Sequence, residues 1–99
     1  MKQDHFNILR KIHKNPSASQ REMSKDLNLS LGKLNYCLKE LKKKGLIKLK
    51  NFKKNPKKIN YLYILTPEGL SEKTKATIDF MKRKMKEFDE LKKELDENK

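Results

Sequence analysis

The chain carries a single cysteine, Cys37, and only two histidines, His5 and His13. One thiol cannot build an internal disulfide framework, and these three side chains fall short of a zinc quartet, so neither a disulfide scaffold nor a metal centre is expected. Long apolar runs are missing too. The longest, Tyr61 to Leu65, is far below the ~20 residues that a membrane-spanning helix needs, and the N-terminus lacks the apolar core of a signal peptide. These absences predict a soluble, cytoplasmic protein with no membrane partner. Nor does the sequence hold a nucleophile with its base, an acid/base pair or a phosphate loop, so no enzyme, cofactor or small-molecule ligand is inferred.

Acids are scarce where cations are dense. Residues 1–66 carry 17 Lys/Arg against 4 Asp/Glu, whereas residues 67–99 carry 9 of each, so the whole net charge of +13 lies in the first two thirds. Within it, Lys33 to Lys58 holds 11 lysines and the single acid Glu40, a density that calls for a polyanionic partner. At 99 residues there is room for about one domain with a small core, which self-association would help to stabilise.

Phe6, Leu9 and Ile12, with Ile8 beside them, recur at helical spacing between Lys2 and Lys14, where Asn15-Pro16 ends the pattern. Ser19-Gln20-Arg21-Glu22 reads as a capping box opening a short second helix with Met23 and Leu27 on its apolar side. Ser30 is the N-cap of a third helix, with Leu29 and Leu34 at the staple positions. Its end is marked by Lys42, Lys43 and Lys44, which suit the negative pole of the helix, and by Gly45 as a left-handed terminus. Leu46 to Lys50 begins to alternate, and Ile59 to Leu65 is rich in β-branched and aromatic residues. Two strands are therefore predicted, joined by a basic loop from Asn51 to Lys58. Thr66-Pro67-Glu68 then supplies an N-cap, a proline at the first helical position and an acid in the first turn of a final helix.

Two short helices across a tight turn, followed by a hairpin with a cationic tip, make a winged helix-turn-helix, in which the second helix of the pair enters the major groove of DNA. The expected fold class is mainly α with a small β-hairpin: a winged helix-turn-helix over residues 1–66 and a long C-terminal dimerisation helix over 67–99. On the third helix Leu31, Leu34, Leu38 and Leu41 share one side, with Cys37 at the margin. Gly32, Asn35, Tyr36, Lys39 and Lys43 share the other. Asn can pair with adenine, Tyr can meet a base edge, a thymine methyl or a phosphate, and Gly permits close approach. Ser30 and Lys33 at the helix start join this DNA-binding set, and Lys53, Lys54, Lys57 and Lys58 of the hairpin are assigned to flanking phosphates or the minor groove.

The strings Ser19-Gln20-Arg21-Glu22, Asn28 to Leu38, Lys44 to Lys48, Asn51-Phe52 and Tyr61 to Gly69, with Phe80 and Lys84 further on, resemble a small subfamily of MarR-type winged-helix regulators. That subfamily is named for its association with exopolysaccharide gene clusters, and the likeness runs over nearly the whole chain. The resemblance implies a bacterial-type transcriptional regulator acting on double-stranded DNA, with extracellular polysaccharide genes among its targets. Two departures from the wider family pattern stand out. Lysines replace the usual wing Asp-x-Arg, and one long helix stands where the family has two, so the ligand pocket of larger members is not expected here.

Along that final helix Ile78, Met81, Met85, Phe88, Leu91 and Leu95 follow spacings of three and four, a seam for another helix; its first turns can pack on helix 1, and beyond Met81 the expected partner is a second copy of the chain. The alternatives are a winged helix used for protein interaction, or an architectural nucleic-acid binder with low sequence preference. Eleven lysines on helix 3 and the wing argue against the first. Cys37 is read as a buried thiol rather than an oxidant sensor, and His5 and His13 as surface residues.

Overall fold

The computed structural model describes residues 1–55 and 58–98, with side chains outside 52–61. The element order is α1 (Gln3–Lys14), α2 (Gln20–Leu27), α3 (Leu31–Lys43), β1 (Ile47–Asn55), β2 (Lys58–Leu65) and α4 (Pro67–Glu97). α2, α3 and α4 each start at a side-chain N-cap, whereas α1 starts after Lys2 without one. Ser19 accepts from the Glu22 amide at 3.1 Å, Ser30 from the Lys33 amide at 3.1 Å and Thr66 from the Gly69 amide at 3.0 Å. α3 ends in a Schellman arrangement: the Gly45 amide donates to the Lys42 carbonyl and the Leu46 amide to the Leu41 carbonyl, with Gly45 at φ +75°. The turn between α2 and α3 uses the same device with a left-handed Asn28, φ +55°.

The core forms where α1, α2, α3 and the base of the hairpin meet. Ile8, Leu9, Ile12, Met23, Leu34, Cys37, Leu38, Leu41 and Ile47 are buried together, with Leu27, Leu29, Leu46, Tyr63 and Leu65 packed around them. α4 crosses this body only in its first turns, where Phe80 meets Phe6 with ring centroids 6.1 Å apart. From residue 81 to 98 every position is exposed, and the molecule measures 68 × 26 × 22 Å because this part of α4 extends away from the rest.

Three expectations need correction. The strands are longer than the alternation indicated: β1 runs to Asn55 and β2 starts at Lys58, antiparallel and with an irregularity between Lys53 and Asn55. Lys53, Lys54 and Lys58 therefore stand on strands, while Pro56 and Lys57 lie outside the described residues. Pairing satisfies backbone groups wherever two chains run side by side, and a thin ribbon tolerates lysines along it. His5 is buried, at 2% exposure, because it shares the face of α1 that carries Ile8, Leu9 and Ile12. His13 is exposed, as expected. Leu31, placed with the apolar side of α3, is 42% exposed, since the buried face of that helix begins one turn later at Leu34.

Gly69 has a structural reason that spacing alone could not reveal. A Cβ built there would lie 1.9 Å from the Leu46 carbonyl oxygen, which is backbone and cannot swing aside. Gly69→Ala is expected to lower stability by about 1–3 kcal/mol through this overlap. Urea unfolding with an unchanged midpoint would show that α4 can shift without loss.

The buried His5 ring has its proton affinity lowered, chiefly by burial; Lys44 and Lys2 act in the same direction, and Glu40 and Asp4 oppose it. The folded protein therefore holds His5 neutral in a range where the unfolded chain, titrating near 6.5, already binds a proton. Stability is expected to fall as pH drops below about 6.5 and to level off once the folded His5 is protonated. Thermal midpoints of wild type and His5→Gln between pH 7.5 and 5 would check this, the variant giving the flatter profile.

Candidate nucleic-acid interface

The arrangement of α3 follows from its own periodicity. Leu34, Cys37, Leu38 and Leu41 turn inward, which leaves Gly32, Lys33, Asn35, Tyr36, Lys39, Lys42 and Lys43 on the outside. Packing thus brings most of the α3 residues singled out from the sequence onto one exposed surface. Lys42 faces solvent as well and adds to its charge. Sequence reasoning had assigned Lys42 only to the helix terminus, although its neighbour Lys43 gave the same signal.

Several of these side chains already have partners. The Ser30 hydroxyl is engaged as the N-cap of α3. Lys33 reaches Asp4 of α1, Nζ to Oδ2 3.6 Å, an exposed pair that tethers the start of α3 to α1 and is worth well under 1 kcal/mol. Tyr36, 62% exposed, hydrogen-bonds through its phenol to the Glu40 carboxylate one turn on, and this bond raises the pKa of the phenol. The other side of the same carboxylate faces inward: Glu40 Oε1 lies 3.8 Å from His5 Nε2 and has no hydrogen-bond partner. Glu40, the single acid among the lysines of this region, thus sits between the buried histidine and the exposed tyrosine.

Gly32 is informative in a different way. A Cβ there would meet nothing within 4 Å, and its φ is not in the left-handed region, so neither packing nor backbone geometry within the chain requires a glycine. Its presence on the outer face of the first turn of α3 leaves an open path to the backbone amides at the helix N-terminus.

Cys37 is buried on the inner face, and burial raises the pKa of its thiol, so it is held protonated and out of reach of solvent oxidants. Among the described residues no cluster of three or more His, Cys, Asp or Glu has metal-binding geometry. No described helix is long and apolar enough to cross a membrane. The hairpin follows α3 beyond Gly45, and β1 carries the exposed Lys48 and Lys50 near its start. The exposed face of α3 and Lys48 and Lys50 of β1 present cations on two elements at once, an arrangement suited to a polyanion.

Comparison with known proteins agrees with this geometry. Residues 5–48 match the family described as winged helix-turn-helix DNA-binding. No curated protein matches the chain. Among solved structures, the fold is similar to that of a MarR family transcription regulator, with TM-score 0.70 and 24% identity over 84% of this chain and 54% of that one. It is also similar to Staphylococcus aureus MarR in complex with salicylate and kanamycin, with TM-score 0.69 and 22% identity over 86% of this chain and 55% of that one. Streptococcus pneumoniae FabT in complex with DNA aligns with TM-score 0.66 and 20% identity over 89% of this chain and 59% of that one. The chain thus spans little more than half the length of these proteins. It has a winged helix-turn-helix followed by one long helix, and it shares that fold with MarR family regulators.

Proposed function

We propose that this chain is a sequence-specific double-stranded DNA-binding transcriptional regulator that acts in the cytoplasm as a homodimer. α3 enters the major groove, the basic hairpin lies on flanking DNA, and genes for extracellular polysaccharide are among the targets. The observation that carries the reading is the outer face of α3. Gly32, Asn35, Tyr36, Lys39 and Lys43 lie together there, and neither Gly32 nor the lysines are needed by the core. Asn35 and Tyr36 lie on the two sides of that face, about one turn in from the helix start; Asn35 brings an amide suited to an adenine edge, and Tyr36 a ring for a thymine methyl and a hydroxyl for phosphate or base. Ser30 and Lys33 flank the helix start, where backbone amides favour a phosphate. Lys53, Lys54, Lys57 and Lys58 supply sequence-independent attraction from the hairpin. The match of residues 5–48 to a DNA-binding family supports the class of ligand, and the resemblance of the α3 region to the exopolysaccharide-associated subfamily supports the class of target gene.

Dimerisation is assigned to Ile78, Met81, Met85, Phe88, Leu91 and Leu95, all exposed along α4. An apolar row of this length is unfavourable in water, and two copies of the chain would each present a recognition helix, raising the effective concentration of the second on a symmetric site.

Selection of bound sequences from a random duplex pool tests the reading directly, with an inverted repeat as the expected product. On the selected site Asn35→Ala and Tyr36→Ala should each weaken binding by about 1–3 kcal/mol per lost base contact while leaving random-duplex affinity nearly unchanged. Equal weakening on both duplexes would reassign the two residues to phosphate contact, and failure to enrich any sequence would favour an architectural binder.

Replacing Lys53, Lys54, Lys57 and Lys58 by Gln should weaken binding to every duplex. If all four contact phosphates, the slope of log affinity against log salt should become shallower by about 3–4. An unchanged slope would remove the hairpin from the interface.

A further inference from the structure

Tyr36 and Glu40 stand one turn apart on α3, so their side chains share a stripe of the helix. Tyr36 is exposed, and its phenol is hydrogen-bonded to the Glu40 carboxylate. That carboxylate is held in one orientation. Its Oε1 is buried, 3.8 Å from His5 Nε2 and without a hydrogen-bond partner, which leaves the other oxygen for the phenol. The choice of partner runs against the surroundings. Lys43 and Lys44 stand three and four residues on, where a helix lysine ordinarily reaches an acid, yet among the described residues no lysine forms an ion pair with Glu40.

The direction of this bond decides what the phenol can offer outside the chain. An ionised carboxylate only accepts, so the phenol donates, and a phenol has one proton. With that proton committed to Glu40, the oxygen turns only lone pairs outward. Phosphate oxygens are acceptors as well, and so are adenine N7, guanine N7 and O6, and thymine O4. In the major groove the donors are the N6 amine of adenine and the N4 amine of cytosine.

We propose that Glu40 is a positioning residue for DNA recognition: it holds the Tyr36 hydroxyl as an acceptor, so that Tyr36 reads an exocyclic amine of adenine or cytosine and does not bond a phosphate. This rests on the reading of α3 as the helix in the major groove, and it names what one of its residues recognises there. A free tyrosine hydroxyl rotates to suit a donor or an acceptor and so discriminates little between them. The clamp removes that choice. Donation to an anion also makes the phenol oxygen a better acceptor, which favours an amine, whereas a phosphate would meet a committed hydroxyl with a carboxylate behind it. The raised pKa of the phenol is consistent with this, since the proton stays on Tyr36.

The full-length chain and the duplex it selects from a random pool supply the test. In copies of that duplex each adenine in turn is replaced by purine, which lacks the N6 amine, and each cytosine by 2-pyrimidinone, which lacks the N4 amine. For one amine of the site, removal should weaken binding of the native chain about tenfold. Tyr36→Phe keeps the ring, touches no core group and loses only the hydroxyl. It should bind the unmodified site about tenfold more weakly, lose nothing further when that amine is removed, and keep its random-duplex affinity.

Glu40→Ala leaves the tyrosine intact but frees its hydroxyl to rotate, so the cost of removing the same amine should largely vanish. A merely structural role for Glu40 would instead weaken all duplexes together and leave that cost at its native value, which would overturn the positioning role. If no amine is felt by the native chain and ignored by Tyr36→Phe, the assigned contact is overturned. Equal weakening of Tyr36→Phe on selected and random duplexes would overturn it too, as the mark of a phosphate contact. Each of these results leaves sequence-specific binding standing, because a site has been selected. Failure to enrich any sequence removes that reading, and the role of Glu40 with it.

Discussion

The rest of this structure depends on one small clasp, where the end of α3, the base of the hairpin and the start of α4 meet at the backbone of Gly45 and Leu46. The Thr66 hydroxyl donates to the Gly45 carbonyl at 2.6 Å, the Thr66 amide donates to the Leu46 carbonyl at 3.0 Å, and Gly69 lets α4 press against that same carbonyl. Thr66 also accepts the Gly69 amide, so one side chain caps α4 and anchors it to the terminus of α3. Hydrogen bonds of this kind contribute roughly 1 kcal/mol each, but their shared location matters more than their sum. They set the direction in which α4 departs and the position of the hairpin relative to α3.

From that constraint follows a division between two surfaces. The core absorbs one side of α3, including Cys37, and leaves its other side without an internal role apart from the Tyr36–Glu40 bond and the Lys33–Asp4 pair. The first turns of α4 are absorbed by α1 through the Phe6–Phe80 contact, with Arg10 over the Phe6 ring and Lys84 over the Phe80 ring. The later turns are left uncovered. One surface is polar and cationic and the other carries an apolar row, which is why they suit partners of different chemistry. In the proposed function DNA takes one and a second copy of the chain the other, and no residue serves both.

Glu40 shows how a single charge can be read too simply from composition. As the lone acid among 11 lysines it looks like a minor correction to the net charge. Folded, it lies between the buried His5 and the exposed Tyr36, with one carboxylate oxygen turned inward and unpartnered. The electrostatics of α3 are thus tied to a residue of α1 that a sequence pattern assigned to the surface.

Much of this protein was legible in its sequence because its signals are local. Ser19, Ser30 and Thr66 act on amides three residues away, Gly45 is required by the backbone at its own position, and Pro67 opens the long helix. The helical spacing of Leu34, Leu38 and Leu41 likewise decided which side of α3 would face outward. What tertiary structure alone decided involves residues far apart in the chain. The burial of His5 depends on the elements that pack over α1, the need for glycine at position 69 depends on a carbonyl 23 residues earlier, and the exposure of Leu31 depends on where the core stops. The strands exceeded their alternation signal for the same reason, since pairing is a property of two segments together. Periodicity and capping report the energy of one segment against water, whereas contact between segments depends on where the chain returns, and no window along the sequence contains that information.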